Sequence, residues 1–387
     1  MKGFLRDGLR GKFMHSKKTT TGLRAERLGA RTAVIVGLAL AAATFVGKPA
    51  MAQEGKSALG MIVDDQDWEI GCDNLRACVA LGMNPVEGQA GDYLRVTRDG
   101  DPNAAPVIEL VIPAPDDDAA KPKQPFAVLA LDAAGEGSLP AGPLALTLEN
   151  DSYRYRFADE AVEELLAALP TAKSMTVDLH DGDNALSSGV VSLAGAAAAL
   201  IQMDEVQQRS GTVTALIRRG TASADTIPMP PEVMTVKSLP IGELQDPLPK
   251  PPEGATAPEA QCADSVPPRV AYDLGQGSML WGACATVDDN NVDYVFQMFA
   301  GEKDQNVAFL LPGEPGDDAT RLYNPYIDEE TRRLGSFYKQ NETGDCGSAT
   351  DWAFNGETFA PTLYISMGAC RGVMPVDWPV LYRAEVE

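Results

Sequence analysis

Between residues 93 and 157 short runs rich in Val, Ile, Leu and aromatic residues alternate with clusters of Gly, Pro and Asp. The runs 93–97, 106–112, 126–131, 144–149 and 153–157 predict strands. At Asp159 the period changes. Val162, Leu165, Leu166 and Leu169 recur at helical spacing, with Glu160 in the first turn and Pro170 as a stop. A second helix is predicted from Ser192 to Gln208, where Leu193, Ala196, Ala197 and Leu200 share a face and Gly195 permits close packing on a sheet. Val213, Ala215 and Ile217 then alternate, predicting a closing strand over 211–218. Met175, Val177 and Leu179 also alternate, with Thr176, Asp178 and His180 on the other face and a turn signal at Asp181-Gly182.

Nine prolines lie between Pro228 and Pro258, and proline removes backbone donors and favours extended chain, so residues 227–261 are expected to form a linker. The linker separates a mixed domain at 55–226 from a second domain at 262–387. In the second, the runs 278–286, 293–299, 307–311, 352–359, 363–367 and 380–384 are short and aromatic-rich, and Asn355-Gly356 is a strong hairpin signal. The fold class expected is α+β. Antiparallel strands and two helices make up the N-terminal domain, and a small all-β domain stapled by disulfides follows.

The 387 residues hold 32 Lys+Arg against 55 Asp+Glu, a net charge of −23, and two histidines. Residues 1–52 concentrate ten of the basic groups, all but Lys48 before an apolar stretch from Ala33 to Val46, which is followed by the small-residue site Ala50-Met51-Ala52. This pattern predicts a cleaved signal peptide over 1–52, with cleavage after Ala52 and a periplasmic product. Fourteen apolar residues rise about 21 Å as a helix, short of a hydrocarbon core of about 30 Å, so no permanent span is expected after cleavage. Met1 is followed by an unusually long charged segment, and a start at Met14 gives an ordinary length. The 335 residues after Ala52 hold 22 basic and 53 acidic groups, a net charge of −31, with His180 as their one histidine. Such a surface repels nucleic-acid backbones, and a single histidine rules out a histidine-rich metal site.

All six cysteines, Cys72, Cys78, Cys262, Cys284, Cys346 and Cys370, follow the cleavage site. An even number in an oxidising compartment predicts three disulfides, and no Cys-x-x-Cys spacing suggests redox or zinc chemistry. Fifteen pairings are available. The nearest-neighbour set is the simplest, with a bridge from Cys72 or Cys78 to the C-terminal half as its rival. Each bond is expected to contribute roughly 2–3.5 kcal/mol.

Catalytic motifs fail on context. Ser336-Phe337-Tyr338-Lys339 matches Ser-x-x-Lys without its partner motifs or a helical pattern, and no Gly-x-Ser-x-Gly, dinucleotide loop or phosphate loop occurs. Acids are too numerous for any one pair to be diagnostic. No catalytic residue, metal or cofactor is therefore assigned. Trp281, Trp352 and Trp378 are expected to pack in the core; with Arg371 they are the candidate residues for binding a sugar or peptide in an aromatic groove.

Three segments carry a resemblance. Trp68-Glu69-Ile70-Gly71-Cys72-Asp73-Asn74-Leu75-Arg76-Ala77-Cys78, then Val191-Ser192-Leu193-Ala194-Gly195-Ala196, and finally Gly344-Asp345-Cys346-Gly347 with Cys370-Arg371-Gly372 resemble the bacterial family called domain of unknown function 1176. The resemblance implies an exported protein with six characteristic cysteines, and it implies no reaction. Leu139-Pro140-Ala141-Gly142-Pro143-Leu144 and the run from Ser192 are similar to parts of the invasion-associated locus B family, which is exported and non-enzymatic; this chain lacks the cysteine pair of that family between 79 and 261. The function expected is that of a binding or interaction module of the cell envelope without catalytic machinery. Two alternatives stand beside it, an acidic binder of a basic protein such as lysozyme and a carboxylate-dependent hydrolase of envelope glycans.

Overall fold

The computed structural model describes residues 59–114, 121–132, 139, 142–242, 245–250, 262, 266–300, 303–305, 307–312 and 321–387. The signal peptide expected over 1–52 lies outside them. The first half holds β1 (Met61–Asp65), β2 (Trp68–Cys72), β3 (Cys78–Gly82), β4 (Tyr93–Arg98), β5 (Val107–Pro113), β6 (Pro125–Leu131), β7 (Leu144–Ala145), β8 (Thr147–Glu149), β9 (Ser152–Arg156), β10 (Ser174–Asp181) and β11 (Asn184–Ser192). Helices α1 (Asp159–Ala168) and α2 (Ala196–Val206) are where the apolar periodicity places them. The strands form two antiparallel sheets, one of seven in the order β1-β2-β3-β4-β5-β9-β8 and one of four in the order β11-β10-β6-β7.

Because side chains alternate along a strand, the seven-stranded sheet has two faces, and both are buried. Trp68, Ile70, Ala80, Leu94, Val96, Ile108 and Leu110 face the two helices and the four-stranded sheet in one core. Leu81, Tyr93 and Val111 point the other way, into a core shared with the C-terminal half. Helix α2 starts at Gly195 (φ 99°), where a Cβ would lie 2.0 Å from the Asp65 carbonyl oxygen, so only glycine lets the helix approach β1 this closely.

The strand expected over 211–218 does not form. The buried Asp204 carboxylate accepts hydrogen bonds from the Leu216 and Ile217 amides and from Arg98, holding this segment as turns with one bridge, Thr212 to Ala222. Alternation alone cannot register such a side-chain competitor for backbone donors. Residues 307–311 likewise make a single bridge, Phe309 to Phe359, in place of a strand.

The proline-bearing stretch contains β12 (Thr235–Val236). The C-terminal half comprises β13 (Arg269–Gly275), β14 (Ser278–Val287), β15 (Val292–Ala300), β16 (Lys303–Gln305), β17 (Arg321–Tyr323), β18 (Tyr326–Ile327), β19 (Leu334–Lys339), β20 (Gly347–Phe354), β21 (Phe359–Met367), β22 (Val380–Arg383) and β23 (Glu385–Val386). Strands β13–β16, joined by β17, form one sheet and β18–β22 another; β12 runs parallel to β23. Asn355 and Gly356 sit in the hairpin between β20 and β21, where Phe354 pairs with Phe359. A third core, with Phe296, Phe309, Trp352 and Phe359, separates these two sheets. The architecture is α+β and mostly antiparallel β. The cysteines pair 72–78, 262–284 and 346–370.

Candidate functional site

The sheet β18–β22 positions a row of five residues in register, Tyr326, Gly335, Asp351, Leu363 and Arg383. Residues in one row across a sheet share a face. Gly335 is the key to the row: a Cβ there would lie 2.0 Å from Tyr326 Cζ, so glycine allows the phenol ring to lie flat across the sheet. The Tyr326 hydroxyl thereby donates to Asp351 Oδ1 at 2.7 Å. One step along the sheet, Phe337, Ala349 and Ile365 continue the same face as an apolar surface. Together these residues line a cavity of about 230 Å3, closed by Pro375 and Ala384 and rimmed by Asp328, Arg333 and Thr362.

The rim is built by the turn between β18 and β19. Asp328 Oδ1 accepts from the Thr331 amide and hydroxyl, and the Arg332 amide donates to the Asp328 carbonyl. This brings Arg333 over the sheet, where Nη1 donates to Thr362 Oγ1 at 3.2 Å while the buried Nε finds no acceptor. Arg383 closes the opposite side and is fastened to the first half: its guanidinium pairs with Asp73, and Asn74 bonds both its backbone amide and its carbonyl. Burial pushes the Asp351 carboxyl above its usual range, with the Tyr326 hydroxyl and Arg333 opposing. Burial, then the neighbouring Asp351, raises the Tyr326 phenol. Against its own partial burial, the hydrogen bonds from Thr331 hold Asp328 low. An apolar floor, a few convergent polar groups and shifted carboxyls are the features of a small-ligand site.

None of these residues stood out in the sequence. Asp328-Glu329-Glu330-Thr331-Arg332-Arg333 reads as a solvated charged turn. The signal that was available is Asp351 itself, a lone carboxylate between Ala349 and Ala353 in a strand that buries much of both faces.

The candidate binding residues are dispersed. Trp281 packs with Ala271 and Phe299, Trp352 lies in the core between the two C-terminal sheets, and Trp378 lies in the core shared by the two halves. Each is 2% exposed. Their indole N–H groups are engaged, to Met279 Sδ, the Leu310 carbonyl and the Val373 carbonyl. They form no shared groove. Arg371 bonds Asp67, Glu87 and the Asn84 carbonyl, bridging the halves. His180 stacks on Phe126 with ring centroids 5.0 Å apart. Ser336 is bonded in both directions to the Tyr323 backbone, and its position on β19 puts it on the face opposite Lys339. Among the described residues no cluster of three or more His, Cys, Asp or Glu could hold a metal ion, and no helix is long and apolar enough to cross a membrane.

Comparison with known proteins bears on most of the chain. No solved structure matches it. It is similar to the Escherichia coli K12 protein called "Uncharacterized protein YpfG", at 26% identity over 349 residues, which covers 82% of this chain and 91% of that protein. The fainter similarity of the first half to the invasion-associated locus B family finds no support in these comparisons. A family profile matches from Asp64 to Glu385, through all six cysteines and the cavity residues, and the chain therefore belongs to the family described as protein of unknown function (DUF1176).

Proposed function

We propose that this protein is an exported binding module of the cell envelope, and that it acts by holding a small ligand in the cavity on the β18–β22 sheet. The observation that carries the reading is the arrangement around Asp351: an apolar floor of Phe337, Ala349 and Ile365 under a rim of polar groups, one of which, Arg333 Nε, is buried with no partner. A buried donor without an acceptor costs about 1–3 kcal/mol, a cost that a ligand acceptor relieves once the Arg333 guanidinium turns to meet it. Export is supported by the charged and apolar pattern before Ala52 and by three disulfides, which persist in oxidising compartments. A non-catalytic role is supported by the engagement of Ser336 and His180 in structural contacts.

The test is titration of the purified protein with benzyl alcohol and isoamyl alcohol, neutral probes sized for the floor, followed through the methyl resonances of Leu363 and Ile365. Saturable shifts confined to the cavity, and lost in Ala349→Leu, are expected. Methyls that do not respond would sink the cavity as a ligand site. Hydrolysis of peptidoglycan by the purified protein, abolished in Asp351→Asn, would overturn the non-catalytic part and favour the glycan-hydrolase alternative.

A further inference from the structure

Resting on the reading of the cavity as a ligand site, we infer that its ligand is a free α-amino acid with an aliphatic or aromatic side chain, bound as the zwitterion between Asp351 and Arg333. Three features of the cavity converge on this class. The first is that opposite charges line one small cavity near enough to act on each other but without closing into an ion pair. Among the described residues Arg333 makes no ion pair with Asp328 or Asp351, and its buried Nε has no acceptor. The second is that Asp351 uses one oxygen for the Tyr326 hydroxyl, and among the described residues no hydrogen bond reaches its other oxygen. A donor-bearing cation and an acceptor-bearing anion on one ligand satisfy both groups at once. A plain amine leaves Arg333 unanswered, and a plain carboxylate faces two aspartates as well as one arginine.

The third feature is size and lining. An apolar cavity of about 150 Å3 holds a benzene ring. The 230 Å3 here has room for a ring or a branched four-carbon chain together with the α-carbon and its two charged groups. Phe337, Leu363, Ile365 and Pro375 supply the surface for that side chain. Arg383 is occupied by Asp73, which leaves Arg333 as the carboxylate anchor. The ammonium lies at Asp351, with Asp328 adding a second negative charge on the rim.

Calorimetric titration of the purified protein separates the possibilities. The probes are leucine and phenylalanine, isoamylamine, which lacks the carboxylate of leucine, and 4-methylpentanoate, which lacks its ammonium. Leucine or phenylalanine is expected to bind at least about tenfold more tightly than either half-ligand. Arg333→Gln should erase the advantage of leucine over isoamylamine, and Asp351→Asn its advantage over 4-methylpentanoate. Arg333→Lys, which keeps the charge, should retain most of the leucine affinity, and thermal unfolding of each variant identifies any that has failed to fold. Isoamylamine binding as tightly as leucine would overturn the amino-acid assignment and make the ligand a simple cation, with the ligand-site reading intact. Silence from all four charged probes while benzyl alcohol still shifts Leu363 would overturn it too. Silence from benzyl alcohol as well would mark failure of the site itself.

Discussion

On the helix-facing side of the seven-stranded sheet, Leu94, Val96, Ile108 and Leu110 are covered by residues of the same half, and the polar groups at the margin close on themselves. Arg98 pairs with Asp204 and bonds Gln207, which in turn accepts from Arg209. On the other side the partners come from the far end of the chain. Tyr93 and Arg154 bond Asp377, Arg95 lies 3.4 Å from the same carboxylate, Glu69 accepts from the Gly368 and Ala369 amides, and Arg371 reaches Asp67. One face is thus sealed by local apolar packing; the other is an interface with an apolar centre and charged fastenings at intervals. The cavity lies on the C-terminal sheet that packs against this second face, which carries buried polar groups with partners distant in sequence.

The sharpest way to break the contrast is Asp377→Ala. Asp377 is 3% exposed, accepts from Arg154 and Tyr93 and lies in ion-pair range of Arg95, which keeps Glu109 as its own partner, so its removal strands the buried Arg154 guanidinium. A loss of about 3–5 kcal/mol is expected in urea unfolding. Replacing the cluster together, with Tyr93→Phe, Arg154→Met and Asp377→Leu, should recover most of that loss, because no charge is then stranded. A loss below about 1 kcal/mol for Asp377→Ala alone would show that the apolar centre holds the second face unaided.

The disulfides make a smaller, graded test. Cys346–Cys370 closes a separation of 24 residues beside the second face, and Cys72–Cys78 closes one of 6. Chain entropy predicts a loss of about 3.5 kcal/mol for the paired alanine variant of the longer loop against about 2 for the shorter. Equal losses would mean that native contacts, and not loop length, set the value of these bonds.

Glu69 gives the second face a dependence on pH. Burial, with further repulsion from Asp64 across the β1–β2 pair, pushes its carboxyl up to about 8 against the opposing Gly368 amide. The folded state then holds a proton that the unfolded state releases near pH 4.5. The stabilisation from that proton is present below about pH 4.5 and is lost as pH rises towards 8. Glu69→Gln should remove a slope of at most about 1.4 kcal/mol per pH unit, so its stability relative to the natural protein rises from pH 5 to 8 and then levels. A parallel pair of stability curves would show that the titration belongs elsewhere.

How much of this was legible follows from range. Helix α1 and the strands of the first half come from apolar periodicity over a few residues, and the local cysteine pairs follow the same logic of short separations. Asp204 shows where the reading stops: its carboxylate takes the amides of Leu216 and Ile217, and nothing in the alternation of Val213, Ala215 and Ile217 reports a competitor nine or more residues upstream. The second face is harder still, since Leu81 and Ile365 reveal that they are buried without revealing in which core. Asp351 needs Tyr326 from a different strand to become a site, and Tyr326 needs Gly335 between them. The tryptophans are legible for the opposite reason. Their size marks them as buried, and burial in separate cores is what they do.

The smallest effect expected is that of Tyr326→Phe. The substitution keeps the ring over Gly335 and removes the donor to Asp351 Oδ1, at a cost of about 1 kcal/mol. Its larger consequence is for charge. Burial already raises the Asp351 carboxyl, and the phenol is the foremost group opposing that rise. Without it Asp351 ionises at a higher pH than in the natural protein. An amino-acid ligand needs the ionised form to hold its ammonium, so affinity for leucine should climb with pH in both proteins, with the midpoint displaced upward in Tyr326→Phe and the plateau little changed. Titrations at a series of pH values would locate both midpoints. Coincident midpoints would show that Asp351 is not the group that holds the ammonium, and would move the anchor to Asp328, whose carboxyl the Thr331 hydrogen bonds already keep ionised.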